Sequence, residues 1–226
     1  MQSSITPGAR LRSATEYVTR GGRIADIGTD HAYLPIYLLR EGLISHALAA
    51  DINQGPINSA RANIAAAGLD EKIDTLLTDG LHGVEAYTPD DVLIFGMGGE
   101  LIVKILEEAP WVKNERIGLI LQPMSRASVL RAWLTQNGFA ITGETLTFED
   151  KYYQTVVARY CGESTPYSEE ELLVGRLNIK NRPPLFEGFV RHEIAVLEKI
   201  LAGKARSETA DLSAETQMKQ KLEELL

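Results

Sequence analysis

The sequence predicts an α/β protein whose mostly parallel sheet ends in an antiparallel hairpin, followed by a small helical domain of coiled-coil type. Two observations predict this class. Residues 22–161 alternate short β-type runs with helical patterns, which is the order of a parallel sheet covered by helices on both faces. Near the end of this region two β-type segments follow one another with only a polar turn between them, and the later sequence becomes helical.

Five near-continuous apolar runs predict the parallel strands, because strands buried on both faces show little alternation. These runs are RIADIG (23–28), HALAADIN (46–53), KIDTLLTDG (72–80), DVLIFG (91–96) and IGLILQ (117–122). Segments with apolar residues at helical spacing lie between them, and several end at a glycine or proline stop signal. The helical segments are YLPIYLLREG, PINSARANIAAAG, ELIVKILEEAP and SRASVLRAWLTQNG. This order predicts repeated β-α units.

The next two segments, FAITGETLTFED and KYYQTVVARYCG, predict an antiparallel hairpin, because no helix separates them and the second alternates between two faces. After the loop GESTPYSEEE, two helical segments carry apolar stripes: Val190, Ile194, Leu197 and Leu201 on the first, and Met218, Leu222 and Leu225 on the second. A single stripe of this kind is not stable alone in water, so we expect the two helices to pack antiparallel. The predicted domains are 1–162 and 163–226.

The composition excludes several classes of protein. The longest apolar runs, 92–95 and 117–121, are far shorter than the ~18 residues that span a bilayer, so we predict no membrane protein. The opening MQSSITPGARLRSATEYV lacks the apolar core of a signal peptide, and the single Cys161 permits no internal disulfide; both favour the cytoplasm. His46, His82 and His192 show no metal-ligand spacing, so we predict no metal. The expected state is a monomer.

The net charge of −8 argues against a nucleic-acid partner, because phosphates are bound by cationic surfaces. Two local basic segments nevertheless stand out. The first contains Arg10, Arg12, Arg20 and Arg23, and the second contains Arg176, Lys180 and Arg182. From charge alone, both are best interpreted as solvated faces.

The loops after the predicted strands are where a ligand should bind, because open parallel sheets bind ligands at the carboxyl ends of their strands. Gly28 lets the first loop turn sharply and lets its backbone approach a ligand. Asp51 ends the second strand about twenty residues after the first loop. This sequence separation is the one expected of an acid that binds the two ribose hydroxyls. Asp79 of the third loop is placed to accept a hydrogen bond from an adenine amino group. The fourth loop is Gly96-Met97-Gly98-Gly99, whose amides can lie against a flat ring, and the fifth begins with Gln122 and Pro123.

A dinucleotide cofactor is disfavoured. The first loop has Gly28 where a dinucleotide fingerprint requires three glycines, and Asp30 would place a negative charge where pyrophosphate sits. A cofactor with a nucleoside, a positive charge and no phosphate suits a pocket edged by acids, which here are Asp26, Asp30, Asp51 and Asp79. S-adenosyl-L-methionine has these properties.

Five motifs carry a resemblance to a known family: DIGTDHAYLPIYL, AADIN, TDGL, IFGMGG and LQPM. The acid-x-Gly start of the first loop, the acid after the second strand and the terminal hairpin resemble the class I methyltransferases generally. With the five motifs the sequence more closely resembles the bacterial tRNA (adenine-N1)-methyltransferase family that modifies adenine 22. The match spans nearly the whole chain. The resemblance implies a Rossmann-like catalytic domain, S-adenosyl-L-methionine as methyl donor, and a C-terminal helical domain that assists tRNA binding.

The resemblance also implies site residues. The expected cofactor-binding residues are Asp26, Gly28, Thr29, Asp30, Asp51, Ile52, Asp79, Gly80, Gly96, Gln122 and Pro123, and the expected catalytic residues are Asp30, His31, Gly96 and Met97.

Many methyltransferases that act on an exocyclic amine carry an Asn or Asp, two prolines and an aromatic residue where this chain has GMGG. Ring N1 is therefore the expected nucleophile, and positioning and charge stabilisation should dominate catalysis. Asp30 would contact either the 6-amino group of the base or the ammonium of the cofactor, and both roles stay open.

Adenine N1 lies on the Watson–Crick edge, so the target base must leave its pairing contacts before reaction. Tyr33, Tyr152 and Tyr153 are candidates to stack on it, with ordinary packing as the alternative for each. For His31 we expect one of two roles: a structural hydrogen bond in the loop, or a contact with the substrate. The expected phosphate contacts are Arg10, Arg12, Arg176, Lys180 and Arg182. Two other functions stay open: methylation of a small molecule, and RNA binding without catalysis on the same fold.

Overall fold

The structure is a computed structural model, and it describes residues 7–205 and 211–226. The chain divides into two compact units, Met1–Pro166 and Tyr167–Leu226, which are described separately. The boundary expected near residue 162 falls in the loop that ends the first unit.

The first unit is built on a sheet that, within the described residues, has seven strands in the order β3-β2-β1-β4-β5-β7-β6. The strands are β1 Arg23–Ile27, β2 His46–Asp51, β3 Ile73–Leu77, β4 Asp91–Gly98, β5 Gly118–Ser125, β6 Phe139–Phe148 and β7 Tyr152–Tyr160. Strands β1 to β5 pair in parallel, and β7 pairs antiparallel with both β5 and β6. The predicted parallel sheet and terminal hairpin are confirmed. The direction of winding reverses between β1 and β4, and such a reversal opens a crevice at the carboxyl edge.

Helices follow four of the parallel strands, as the sequence predicts. They are α2 Tyr33–Arg40, α3 Gln54–Ala67, α4 Gly99–Glu107 and α5 Ala127–Gln136. The pattern in α4 shows why: Ile102, Ile105 and Leu106 are buried against the sheet, whereas Glu100 and Lys104 face solvent. A short first helix, α1 Ala9–Arg12, precedes β1 and was not predicted. Helix α1 packs against β6, which brings the N-terminal segment close to the hairpin.

The fourth and fifth loops were predicted to begin earlier than they do. Met97, Gly98 and Pro123 belong to strands, because β4 and β5 continue to pair through register shifts, with Met97 opposite Pro123. Gly96, at φ +79°, occupies the irregular position of β4 between Phe95 and Met97. Irregularities of this kind re-aim a strand near a site, and here β4 continues beyond Ile94, its last residue paired with β1, at the carboxyl edge.

The hairpin is tied to α5 by a fully buried ion pair. Nε of Arg131 donates to Oε1 of Glu144 on β6 at 2.6 Å, and its Nη2 donates to Gln154 on β7 at 2.8 Å. A pair of this kind is costly to break, because removing one partner leaves a charge in a medium of low polarity.

The second unit is helical in its described part and contains α6 Glu169–Val174, α7 Arg176–Asn181, α8 Phe186–Lys204 and α9 Ser213–Glu223. Helices α8 and α9 pack together as predicted, with Val190 and Leu222 buried and Lys219 paired to Glu198 at 3.0 Å. Residues 206–210 of the predicted connection lie outside the described residues. Helices α6 and α7 were missed. The signal for α6 was present, because Ser168 and Glu171 form a capping box.

Candidate active site

Two adjoining cavities open at the carboxyl edge of the sheet, where the winding reverses between β1 and β4. We call them the Arg10 cavity, of about 360 Å³, and the Asp51 cavity, of about 330 Å³. Gly28, Phe95 and Gly96 line both of them, so the two form one continuous crevice. A crevice at this position is where open α/β sheets bind their ligands.

The Asp51 cavity combines carboxylates with exposed apolar side chains. Asp51, the last residue of β2, and Asp79, beyond β3, both line it. Oδ1 of Asp51 accepts from the backbone N–H of Asn53 at 2.7 Å, which fixes the carboxylate and leaves its second oxygen for a ligand. Ile52 and Leu101 are 59% and 48% exposed and also line the cavity. Acids beside flat apolar surface suit a nucleoside, which has a ribose diol and an aromatic ring.

The turn after β1 requires a glycine. Gly28 has φ +75°, and the backbone N–H groups of Gly28 and Thr29 both donate to the carbonyl of Ala50 at 2.9 Å. A Cβ atom at residue 28 would lie 2.3 Å from Cε of Met97. Side chains rarely adopt this backbone conformation, and this is the reason for glycine here, because the flexible end of the Met97 side chain can move away from a Cβ atom. Gly28 therefore presents bare backbone to both cavities.

Asp26 is the most perturbed acid of the crevice. Its side chain is buried at the end of β1 and lines the Arg10 cavity. The pKa of Asp26 is raised to about 6, chiefly by burial and to a smaller extent by the Asp51 carboxylate, while the Thr29 side chain offsets part of the rise. A strongly perturbed carboxyl group in a cleft marks a functional site, because burying the charged form costs free energy that a ligand can recover.

The rest of the first loop projects outward. The Asp30 side chain is 80% exposed, and its Oδ2 lies 3.5 Å from Nε2 of His31. The His31 ring stacks on Tyr33 with ring centroids 5.0 Å apart. Asn63 of α3 donates to the backbone carbonyl of His31 at 3.0 Å, and Ala32 holds a left-handed φ of 55°. The structure thus presents an acid and two stacked rings at the mouth of the Arg10 cavity.

Arg10 lies in the cavity wall rather than on an outer face. Its Nη1 donates to Oε1 of Gln122 at 2.8 Å, and the backbone N–H of Gly96 donates to the same oxygen at 3.3 Å. Gln122 is fully buried within β5. This cluster joins the N-terminal segment to β4 and β5, and it brings together residues that the sequence assigned to different roles.

The other predicted RNA contacts are dispersed. Arg12 is exposed on α1, and the Tyr152 ring packs edge-on against Phe148 at 4.9 Å. The Tyr153 ring is only 7% exposed and its hydroxyl donates to Asp150, so the packing alternative holds for this residue.

The remaining three predicted contacts belong to the second unit. Lys180 is exposed. Arg176 donates to both Glu171 oxygens, at 2.7 and 2.8 Å, and stacks on Tyr167. Arg182 donates to the carbonyl of Leu225 at 2.8 Å. The guanidinium groups of Arg176 and Arg182 thus have structural partners within their own unit.

The residues that sequence reasoning missed include Phe95, which lines the crevice, and Asn63, which supports its first loop. Phe95 lines both cavities, and its place as the last apolar residue of a predicted strand was a usable signal. Asn63 supports the first loop from a helix more than thirty residues away along the chain, as its contact with the His31 carbonyl shows. No sequence signal identifies a contact of that kind.

Within residues 7–205 and 211–226, no group of three or more His, Cys, Asp or Glu side chains is arranged to hold a metal ion. No helix in those same ranges is long and apolar enough to cross a bilayer.

Comparison with known proteins gives consistent results. The model of the family TrmK, tRNA (adenine(22)-N(1))-methyltransferase, matches residues 24–225. The tRNA (adenine(22)-N(1))-methyltransferase of Bacillus subtilis (strain 168) is 35% identical over 225 residues, covering 96% of this chain and 91% of that protein. The crystal structure of the B. subtilis M1A22 tRNA methyltransferase TrmK superimposes with a TM-score of 0.78 at 30% identity, covering 98% of this chain and 96% of that one.

Two further solved structures contain ligands. M. capricolum TrmK, in complex with S-adenosyl-homocysteine, has a TM-score of 0.80 at 29% identity and covers 97% of this chain and 96% of that one. A Streptococcus pneumoniae protein in complex with S-adenosyl-L-methionine has a TM-score of 0.84 at 34% identity, with 96% and 99% of the two chains covered. The predicted methyltransferase fold is confirmed, and the chain belongs to the tRNA (adenine(22)-N(1))-methyltransferase family.

Proposed function

We propose that this chain transfers a methyl group from S-adenosyl-L-methionine to N1 of adenine 22 in tRNA. The observation that carries the proposal is the crevice itself, in which two acid-lined cavities meet at the reversal point of a methyltransferase sheet. When bound, S-adenosyl-L-methionine supplies an electrophilic methyl group on a cationic sulfur.

The residues of the crevice fit this cofactor. Asp51 and Asp79 would bind the ribose hydroxyls and the adenine amino group, and Ile52 and Leu101 would cover the faces of the ring. The glycine turn at residue 28 exposes bare backbone in both cavities, which a ligand can approach closely. The carboxylates also supply negative charge for a cationic ligand, which favours its binding in a partly buried site.

Two acids near the reacting centre would take different roles, and their burial distinguishes them. Asp26 is 7% exposed and sits deep in the Arg10 cavity, so we assign it to the ammonium of the cofactor. The Asp30 side chain is 80% exposed at the mouth, so we assign it to the 6-amino group of the target adenine. There it would favour the positive charge that N1 methylation places on the base. Adenine N1 is a nucleophile without prior deprotonation, and positioning it is the main task of the chain.

The target base would enter past the stacked rings of His31 and Tyr33, which offer a flat surface at the mouth. Base–aromatic stacking is worth ~1–3 kcal/mol per base and stabilises an extruded nucleotide. We assign phosphate contacts to the exposed Arg12 and Lys180 first, because Arg176 and Arg182 already have partners in their unit. Since tRNA is the substrate, the proposed function also places the chain in the cytoplasm.

Methyl transfer to an unmodified tRNA transcript tests the proposal. We expect incorporation of labelled methyl into the transcript, mapping of 1-methyladenine to position 22, and no incorporation into a matched transcript with guanine at that position. Turnover without RNA would instead identify a small-molecule methyltransferase. Binding of tRNA with no turnover would identify a non-catalytic RNA-binding protein.

A further inference from the structure

The exposed apolar side chains of the first unit follow one edge of its sheet. Strand β6 runs in the same direction as β5, because β7 is antiparallel to both, so six strands end at the carboxyl edge. At each of these ends, or in the segment that follows, lies one large exposed apolar side chain: Tyr33, Ile52, Leu77, Leu101, Met124 and Phe148. As far as the described residues extend, the opposite edge has none. Single exposed apolar residues are ordinary, but a row along one edge indicates an interaction surface.

Two residues of this row lie apart from the crevice. Ile52 and Leu101 line the Asp51 cavity, and Tyr33 lines the Arg10 cavity. Met124 and Phe148 line neither cavity and belong to β5 and β6, on the other side of the crevice from β2 and β3. The contacts proposed for the cofactor and the target base therefore leave Met124 and Phe148 without a ligand.

Phe148 presents its ring on a turn that is held in place. Its side chain is 51% exposed, and its ring packs edge-to-face on Tyr152, with centroids 4.9 Å apart. Both acids of the turn have partners within the unit. Glu149 accepts from a backbone N–H of α1 at 3.0 Å, and Asp150 accepts from the Tyr153 hydroxyl at 2.8 Å. A ring on a fixed turn loses little conformational freedom when it binds a partner.

A cation accompanies each of the two apolar side chains. Lys151 lies in the same turn as Phe148 and is exposed; its ammonium is 5.3 Å from an aromatic ring centroid of β7 and forms no ion pair with a described carboxylate. Arg126 follows Met124, and its Nε lies 3.9 Å from Glu100, with both side chains 69% exposed. Such an exposed pair contributes little, so a phosphate can replace the carboxylate. We call Met124, Arg126, Phe148 and Lys151 the edge surface.

The chemistry of the edge surface fits single-stranded RNA. Unpaired nucleotides are bound by stacking of their bases on aromatic rings and by cations beside their phosphates. A protein partner would require a more continuous apolar core than two side chains separated by charges. The cofactor would occupy the β2 and β3 side of the carboxyl edge, so an RNA that reaches the crevice has the β5 and β6 side left to it.

We propose that the edge surface binds an unpaired nucleotide of the tRNA near the target adenine, with Phe148 stacked on its base and Arg126 and Lys151 paired with phosphates. The proposal rests on the proposed function and adds to it a substrate contact outside the crevice. Phe148 therefore contributes to tRNA affinity and has no part in cofactor binding.

Filter binding of the full chain to an unmodified tRNA transcript tests the stacking contact. Phe148→Ala should raise the Kd for tRNA by about 5- to 100-fold, the range of base–aromatic stacking, whereas Phe148→Tyr keeps the ring and should stay within about threefold. Calorimetry with S-adenosyl-homocysteine should give unchanged affinity, which shows that each variant is folded. Leu77→Ala is the matched control, because Leu77 is 49% exposed on the same edge at the far end of the sheet. Its Kd for tRNA should be unchanged.

The salt dependence of tRNA binding tests the two phosphate contacts. Arg126→Ala and Lys151→Ala should each make the plot of log K against log salt concentration shallower by about 0.7–1, because each cation neutralises one phosphate. Phe148→Ala should lower the affinity without changing this slope. Lys72→Ala removes an exposed lysine just before β3, at the opposite edge, and should leave both the affinity and the slope unchanged.

A set of tRNA transcripts, each with one abasic site among the unpaired nucleotides around adenine 22, identifies the stacked base. On one of them Phe148→Ala should cause no further loss, because the base that it contacts is already absent. An unchanged Kd for Phe148→Ala, an equal loss in Leu77→Ala, or additive losses on every transcript would overturn the proposal. So would a change in sedimentation with unchanged tRNA affinity, which would assign the ring to a contact between two copies of the chain. If the unaltered chain transfers no methyl group to tRNA, the proposed function itself fails.

Discussion

Replacing Asp26 by asparagine should stabilise the ligand-free protein at neutral pH. Burial raises the pKa of this carboxyl group from 3.8 to about 6 in the folded chain. At 1.36 kcal/mol per pKa unit, a shift of that size makes the ionised group cost about 3 kcal/mol at pH 7.5. Asparagine has nearly the same shape and no charge, so we expect Asp26→Asn to raise the free energy of unfolding by about 2–3 kcal/mol.

The pH dependence has a defined sign. The folded state binds the Asp26 proton more tightly than the unfolded state, so this contribution to stability is fully present below about pH 4 and is lost as the pH rises through 6. The difference between the unaltered chain and Asp26→Asn should therefore be large at pH 7.5 and close to zero near pH 4.

Urea unfolding followed by tryptophan fluorescence measures this difference. Both tryptophans, Trp111 and Trp133, lie in the first unit, so the signal reports the unit that contains Asp26. In parallel, Asp26→Asn should weaken S-adenosyl-homocysteine binding by about tenfold, because the ammonium loses its ionised partner. A variant that is less stable than the unaltered chain at pH 7.5, or a stability difference independent of pH, would refute the reasoning.

Three other variants test separate parts of the structure. Gly28→Ala should cost about 1–2 kcal/mol from left-handed strain and should also reduce S-adenosyl-homocysteine affinity in calorimetry. Gly21→Ala is its control: with φ +72° and open space around it, this variant should lose similar stability and keep the affinity. Asp51→Asn should weaken S-adenosyl-homocysteine and 5′-methylthioadenosine alike by about tenfold while tRNA affinity in filter binding stays unchanged; selective loss of one ligand would contradict the ribose assignment. Arg131→Met should lower the free energy of urea unfolding by about 3–5 kcal/mol, and a neutral result would show that the buried pair does not hold the hairpin on α5.

The central sheet was predictable because its strands are buried on both faces and therefore form continuous apolar runs. The acids at the ends of β1 and β2 were predictable for a related reason, since a parallel sheet brings the carboxyl ends of its strands to one edge. The sequence order alone therefore placed Asp26 and Asp51 beside one crevice, which both of them line.

Contacts between distant segments were not predictable. Arg10 and Gln122 are separated by 112 positions, and neither the local charge pattern nor the spacing indicates that they meet. The extension of β4 through Met97 was missed because glycines usually signal a loop, whereas here Gly96 accommodates an irregularity within a continuing ladder. Helix α7 was missed because six residues provide too little periodicity to detect.

A crystal structure of this chain with S-adenosyl-homocysteine tests the central claim most directly. The account predicts the ribose hydroxyls against Asp51, the adenine beside Asp79 and the ammonium against Asp26. A ligand bound outside the crevice, or one whose amino-acid end lies in the Asp51 cavity, would contradict it.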